Sequence, residues 1–411
     1  MGEGIISRRG GGGYITINFN LPSSPPTRSF ARNLSQARYG LAGTTNGNYA
    51  LFAGGSDSSH YYDVVNIYDT NLTRFTGANL SQARAFLAAT TVGNYAIFGG
   101  GLFKSSNTGN SIPSGCVDAY NNTYFTKSNP TTLSTQRSSP AAATIGNYAL
   151  FAGGYDGSAG GDGYLDTIEV YDNNLNKITS PAALLSEEKS GPAATTVGNY
   201  VLFGGGSDYY IKTVDAYNAS LAKTTVATLN KGRGELAATT VGDYALFGGG
   251  YNPYADGNKY YDTVDVYYKT LTKTTPLVLS QARSELAATT VGDYAIFAGG
   301  SYYSPSPNYL DVVDIFHSTL VRTDSEPLVE AKSSMAATTL GNHALFAGGN
   351  TDNGATFGVE AYSSVEHEVQ LFPETKYSFN GAAESTSSTW QTINVTGNLI
   401  GYMKIKSAQI N

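Results

Sequence analysis

The sequence predicts an all-β fold, a seven-bladed β-propeller, and two observations predict it. One nine-residue phrase recurs seven times: GNYALFAGG from Gly47, GNYAIFGGG from Gly93, GNYALFAGG from Gly146, GNYVLFGGG from Gly198, GDYALFGGG from Gly242, GDYAIFAGG from Gly292 and GNHALFAGG from Gly341. The spacing, 44 to 53 residues, is that of a four-stranded propeller blade. Composition is the second observation. Charged residues make up 14% of the 411, while Gly reaches 48 and Tyr 31. Such a chain suits short strands and tight turns rather than helices.

The elements follow from the sixth copy. Leu286 to Val291 reads as a short strand of apolar and small residues, and Gly292-Asp293 as a two-residue hairpin turn with Gly where φ must be positive. Tyr294 to Gly300 reads as the return strand, Leu310 to Phe316 as a third strand and Leu320 to Asp324 as a fourth. Ala and Thr suit the first strand because seven inner strands crowd around the axis, whereas Tyr, Ile and Phe fill the wider space outside. Before the first copy, TRSFARNLSQAR (Thr27 to Arg38) matches TRFTGANLSQAR (Thr73 to Arg84), the exit of blade one. The stretch from Thr27 to Leu34 is therefore expected to be the fourth strand of the last blade, whose own third strand is Val359 to Tyr362. Joining first and last blade in this way removes an open sheet edge.

Domain boundaries follow. Residues 1–26 form a Gly/Pro-rich arm with one alternating stretch, Tyr14 to Phe19, residues 27–365 the propeller, and residues 366–411 a β appendage holding the one tryptophan, Trp390. The two tails either pack under the propeller or attach it to other subunits of a larger assembly.

The double Gly ending an aromatic and aliphatic strand, an acidic-x-aromatic third strand (Val-Asp-Ile-Phe, Ile-Glu-Val-Tyr, Val-Asp-Val-Tyr), and an Arg or Lys nine residues before each hairpin Gly resemble the kelch repeat over Thr27 to Tyr362. The match departs from the pattern at the kelch tryptophan, whose place is taken by Phe75, Lys127, Ile178, Thr224, Thr274 or Thr323. The resemblance implies a ligand face built from the segments before the first strands and the loops between second and third strands.

Two sets of residues fall on that face. The first is a ring of cations, Arg38, Arg84, Arg137, Lys189, Arg233, Arg283 and Lys332. Either they grip an anionic ligand such as an acidic glycan through guanidinium forks, or each holds a neighbouring carbonyl or acid. Glu235 and Glu285, two residues after their arginines, could serve in that second role. The other set is tyrosine: Tyr61, Tyr62, Tyr209, Tyr210, Tyr254, Tyr302 and Tyr303, on loops that vary in length and sequence while the strands do not. Tyr offers rigid contact area with a polar tip, and variable loops on a rigid scaffold suit recognition. The third-strand acids Asp118, Glu169, Asp215, Asp265, Asp314 and Glu360, with Asn66 in the first copy, repeat with the scaffold and read as architectural.

No catalytic residue, metal site or cofactor is predicted. Four histidines and the single Cys116 show no metal-ligand spacing, and no carboxylate pair stands out from the repeat. A net charge of −7 disfavours nucleic acid, and no stretch approaches a membrane helix. The first fourteen residues hold no apolar run of signal-peptide length. A Gly-rich start without such a signal, and a Tyr/Ser/Gly/Asn-rich body, are similar to tail-associated adhesion proteins of bacteriophages, which reach the outside by lysis. The expected function is non-catalytic recognition of a bacterial surface polysaccharide or another anionic or sugar ligand, on a virion or extracellular assembly. The alternatives are an intracellular kelch scaffold for a protein partner, or a sugar-modifying propeller enzyme.

Overall fold

In the computed structural model the described residues are 25–364, apart from 159–162, 207–210 and 304–306, and the backbone of two short strands, Ile5–Ser7 and Thr16–Asn18, which pair antiparallel with each other. The remaining expectations for the arm, and the appendage over 366–411, lie outside the described residues.

Seven four-stranded antiparallel sheets form the blades of the propeller. Blade 6 runs Ala287–Val291, Tyr294–Ala298, Val313–His317 and Arg322–Asp324, close to the bounds read from the sequence. The inner hairpin turns on Gly292 with φ 52°, as a two-residue turn with Gly first requires. The return strand stops at Ala298 rather than running on to Gly300. The reason is that Gly300 turns its N–H out of the sheet, onto the carbonyl of Lys332 in the next blade at 2.9 Å.

That joint occurs at every blade. Gly55, Gly101, Gly154, Gly206, Gly250, Gly300 and Gly349 each donate to the backbone carbonyl of the following blade's scaffold cation, at 2.8 to 3.1 Å. The first glycine of each pair leaves room for the approach. A Cβ on Gly299 would lie 2.4 Å from the Lys332 carbonyl oxygen.

Blade 7 is closed by the two ends of the propeller, as expected. Thr27–Phe30 pairs with Val359–Ser363 in the register Thr27↔Ser363 to Phe30↔Glu360. The strand is shorter than the stretch to Leu34, because Leu34 N–H has already turned to the Phe357 carbonyl in a loop. Ser364 N–H bonds the carbonyl of Asn342 in the blade 7 hairpin turn. Both ends of the propeller therefore lie on the face of the hairpin turns, opposite the face that carries the loops between second and third strands.

The hydrophobic core is divided among the seven blade-to-blade interfaces. Between blades 5 and 6, Val241, Leu246 and Val266 from one side meet Ala295, Phe297 and Phe316 from the other, all essentially inaccessible to water. In each such interface a Phe on a second strand sits edge-on to a third-strand aromatic or packs beside it, for instance Phe297 and Phe316 at 6.0 Å.

Near the axis the threonines do more than fit a narrow space. Thr45, Thr91, Thr144, Thr196, Thr240, Thr290 and Thr339 each donate a hydroxyl hydrogen bond to the backbone carbonyl of the corresponding threonine in the preceding blade, Thr45 closing the circle onto Thr339. A second set of hydroxyl pairs runs alongside: Thr44 with Thr91, Thr90 with Thr144, Thr195 with Thr240, Thr239 with Thr290, Thr289 with Thr339 and Thr338 with Thr45, at 2.7 to 3.0 Å.

Candidate functional site

The scaffold cations do not face a ligand. Arg38, Arg84, Arg137, Lys189, Arg233, Arg283 and Lys332 are 0 to 1% exposed, and six of them hold a third-strand acid of their own blade. Arg84 meets Asp118 at 2.9 Å, Arg137 meets Glu169 at 3.3 Å, Lys189 meets Asp215 at 3.1 Å, Arg233 meets Asp265 at 2.9 Å, Arg283 meets Asp314 at 2.9 Å and Lys332 meets Glu360 at 3.0 Å. The expectation that this ring grips an anionic ligand is thus corrected. The Nε–H of Arg38, Arg84, Arg233 and Arg283 has no partner, but it is buried, and a cation without water contact is closed to a ligand. The acid that pairs is the architectural one on the third strand, and neither Glu235 nor Glu285.

Each pair pins a crossing segment to its blade. Asp314 also accepts from the backbone and hydroxyl of Ser280, and Arg322 on the outer strand meets its other oxygen at 2.9 Å. Burial pushes the guanidinium pKa of Arg233 and Arg283 down, with the carboxylate beside each opposing that shift. For Asp215, burial would raise the carboxyl, but Lys189 and Lys223 on either side hold it below its ordinary value.

Blade 1 breaks the pattern. Arg38 is as buried as the others but faces the amide oxygen of Asn66 at 3.0 Å, with no carboxylate. Its pKa is pushed down to about 10, chiefly by burial. Replacing Asn66→Asp supplies the missing charge without changing the side chain's shape, and Ser35 can donate to it as Ser280 does to Asp314. We expect a gain of about 1–3 kcal/mol in unfolding free energy, read by denaturant titration.

What the mouth does present comes from the second residue after each cation. These are Gly40, Phe86, Ser139, Gly191, Glu235, Glu285 and Ser334, all with positive φ, arranged around the axis. Around most of the circle each donates its N–H to the carbonyl of its predecessor, as Glu285 does to Glu235 at 2.9 Å and Phe86 to Gly40 at 2.7 Å. Two carboxylates therefore stand side by side at the mouth. Glu285 accepts from Ser301 at 3.2 Å and Ser333 at 2.7 Å. Glu235 reaches solvent, yet protein around it and the charge of Glu285 raise its pKa above the usual carboxylate value, against a hydrogen bond from Ser284.

A carboxyl whose pKa is higher folded than unfolded costs stability once the pH is above both values, and that cost disappears as the pH falls through them. Glu235→Gln is therefore expected to raise the melting temperature slightly at pH 7 and to have no effect at pH 4, measured by calorimetry at both values.

Tyrosines gather beside this pair. Tyr251 bridges in backbone to Gly234, the residue before Glu235, and to Tyr260. The rings of Tyr251 and Tyr260 lie 4.8 Å apart, and Tyr302 stands edge-on to Tyr260 at 6.5 Å. Tyr260 and Tyr309 both have raised phenol pKa values, first from partial burial, with Glu285 contributing to each. Asn350 donates to the Tyr309 hydroxyl at 2.7 Å.

Of the tyrosines expected at the site, Tyr302 belongs to this cluster, and Tyr254 and Tyr303 are 50% and 61% exposed on the same loops. Tyr61 and Tyr62 are half-buried and spent on the loops themselves. Tyr61 bonds Ser111 at 2.8 Å, and Tyr62 donates to Asp57 at 2.6 Å, which holds the Asp57 carboxyl well below its usual range. Tyr209 and Tyr210 lie outside the described residues. Sequence reading missed Tyr251, Tyr260, Tyr309 and the Glu235–Glu285 pair as site residues. The available signal was that Glu occurs after the cation in only two adjacent blades, whereas scaffold residues recur in all.

Among the described residues no group of three or more His, Cys, Asp or Glu side chains is placed to hold a metal ion. His317 bonds Thr319 at 2.8 Å and His343 bonds Ser363 at 2.7 Å, both at scaffold positions. No helix among the described residues is long and apolar enough to cross a membrane.

No protein-family model and no curated protein matches the sequence. Among solved structures the chain is similar to YjhT, at 14% identity and a TM-score of 0.54, over 80% of this chain and 96% of that one. A likeness at that identity shows the fold alone, and the fold is a β-propeller.

Proposed function

We propose that this protein is a non-catalytic recognition propeller that binds a cell-surface carbohydrate at the mouth face, as part of a phage-like tail or another extracellular assembly. The observation that carries this reading is the cluster of Tyr251, Tyr260 and Tyr302 beside Glu235 and Glu285 at the end of the axis. Aromatic faces stack on sugar rings, and carboxylates and serines accept from and donate to sugar hydroxyls. Because the cations are buried and the exposed charge at the mouth is negative, the ligand class is neutral or amine-bearing glycans, with acidic ones disfavoured. The repeat that resembles the kelch repeat makes this a divergent member of that type of propeller.

The position of the chain ends supports the assembly part of the proposal. Thr27 and Ser364, the two ends of the described propeller, lie on the face away from the mouth, and other subunits would attach there through residues 1–26 and 366–411. An array of bacterial polysaccharides, with neutral, amino-bearing and acidic members, tests the reading. Saturable binding to neutral or amino-bearing members supports it. Binding confined to acidic members, or to none, counts against it.

One observation favours a second reading. Two adjacent carboxylates, one with its pKa raised by the protein around it and then by the other, are also the starting point for acid–base chemistry on a sugar. Turnover of a bound glycan, followed by NMR and abolished by Glu235→Gln, would identify a sugar-modifying enzyme instead.

A further inference from the structure

Three kinds of hydrogen-bonded circle tie the blades together, and they are not equally complete. The double-glycine joints and the threonine-to-carbonyl bonds are present at all seven interfaces. The threonine hydroxyl pairs are present at six. They are missing between blades 3 and 4, where Ala143 occupies the place of the first threonine and leaves Thr196 without that partner. The backbone circle at the mouth is also present at six interfaces. It is missing between blades 4 and 5, where no bond joins Glu235 N–H to the Gly191 carbonyl, although Gly191 donates to Ser139 at 2.9 Å and Glu285 to Glu235 at 2.9 Å.

Both gaps flank the same blade, and two further features weaken it. Thr195 on its inner strand, Ala193–Val197, is half-buried, where its counterparts Thr44, Thr90, Thr239, Thr289 and Thr338 are buried. Its scaffold cation is a lysine, a feature it shares with blade 7, where Lys332 holds Glu360. Lys189 reaches Thr213 at 2.7 Å and Asp215 at 3.1 Å, whereas Arg233 in the next blade also bonds the carbonyls of Lys231 and Phe247, at 3.0 Å each. An arginine fork binds its own blade's backbone and a lysine ammonium here does not.

We infer that blade 4 is the yielding joint of the ring, the place where the propeller opens first. Local opening proceeds from the segment with the fewest hydrogen bonds to break, and a ring closed on itself opens at its weakest link. The split blade 7, closed by two chain ends, would be the ordinary choice for that link. Its interfaces on either side, however, carry every bond of all three circles: Thr338 to Thr45, Thr289 to Thr339, Gly40 to Ser334, and Ser334 to Glu285. The inference does not depend on which ligand the mouth takes.

Hydrogen exchange on the full chain, read by mass spectrometry over the seven inner strands, tests it. The amides of Ala193–Val197 are expected to exchange about tenfold faster than those of the other six inner strands. In Ala143→Thr, which adds the missing hydroxyl at a position where the six other blades already carry threonine, that strand is expected to slow toward the rest. Ala143→Val, similar in size but without a hydroxyl, should not slow it. Equal exchange across all seven strands of the native chain, or fastest exchange in blade 7, would overturn the inference, and this readout stands even if a variant fails to fold.

Discussion

Arg283→Met is expected to lower the unfolding free energy by about 3–5 kcal/mol, the usual cost of leaving one member of a buried ion pair behind. The guanidinium is inaccessible to water and holds Asp314 at 2.9 Å and the carbonyls of Gln281 and Phe297 at 3.0 and 3.3 Å. Removing it strands a buried carboxylate whose remaining cationic partner, Arg322, is 40% exposed. The double variant Arg283→Met, Asp314→Leu should recover much of the loss, because replacing a whole buried pair by apolar side chains is often neutral. Denaturant titration of the three proteins measures both effects. A single variant as stable as the native chain would mean that the pair contributes little. Glycan binding per folded molecule should be unchanged, since no cation of this ring reaches the mouth.

Gly299→Ala is expected to cost about 2–5 kcal/mol, from a left-handed backbone of roughly 1–2 kcal/mol and overpacking of about 1–3 kcal/mol. The φ of Gly299 is 62°, and an added Cβ would lie 2.4 Å from the Lys332 carbonyl oxygen and 2.5 Å from Met335 Cε. The carbonyl is the one that Gly300 bonds, so relieving the clash loosens the joint between blades 6 and 7. Gly257 provides the control. Its φ is 85°, and no atom lies within 4 Å of the added carbon, so Gly257→Ala should cost only the backbone part, about 1–2 kcal/mol. Equal losses in the two variants would show that close approach of the blades is not what the double glycine provides.

The fold was legible because every element that defines it repeats. The hairpin Gly, the double Gly, the aromatic second strand and the acid of the third strand recur in register, and the match of Thr27–Arg38 to Thr73–Arg84 located the closing strand. The direction in which the cations point was not legible. A period shows that Arg283 is equivalent to Arg233, but not whether the side chain turns toward solvent or into its blade. Counting alone pairs the seven cations with six acids and Asn66, since a charge that recurs in step with an opposite charge is commonly its partner. The mouth was hidden for the opposite reason. Glu235, Glu285, Tyr260 and Tyr309 do not recur, and only the circular arrangement brings Tyr309, 74 residues after Glu235, next to the same pair.

The most direct test of the mouth as ligand face is the affinity of Tyr260→Ala, Tyr302→Ala for the glycan that the native chain binds, compared with Tyr124→Ala. Tyr124 is 81% exposed on the turn after the blade 2 third strand, on the face away from the mouth. The mouth variant is expected to bind about 5- to 150-fold more weakly, as the loss of two aromatic contacts worth about 0.5–1.5 kcal/mol each implies, while Tyr124→Ala binds as the native chain does. Undiminished binding by the mouth variant, or a loss confined to Tyr124→Ala, would contradict the assignment and place recognition on the other face.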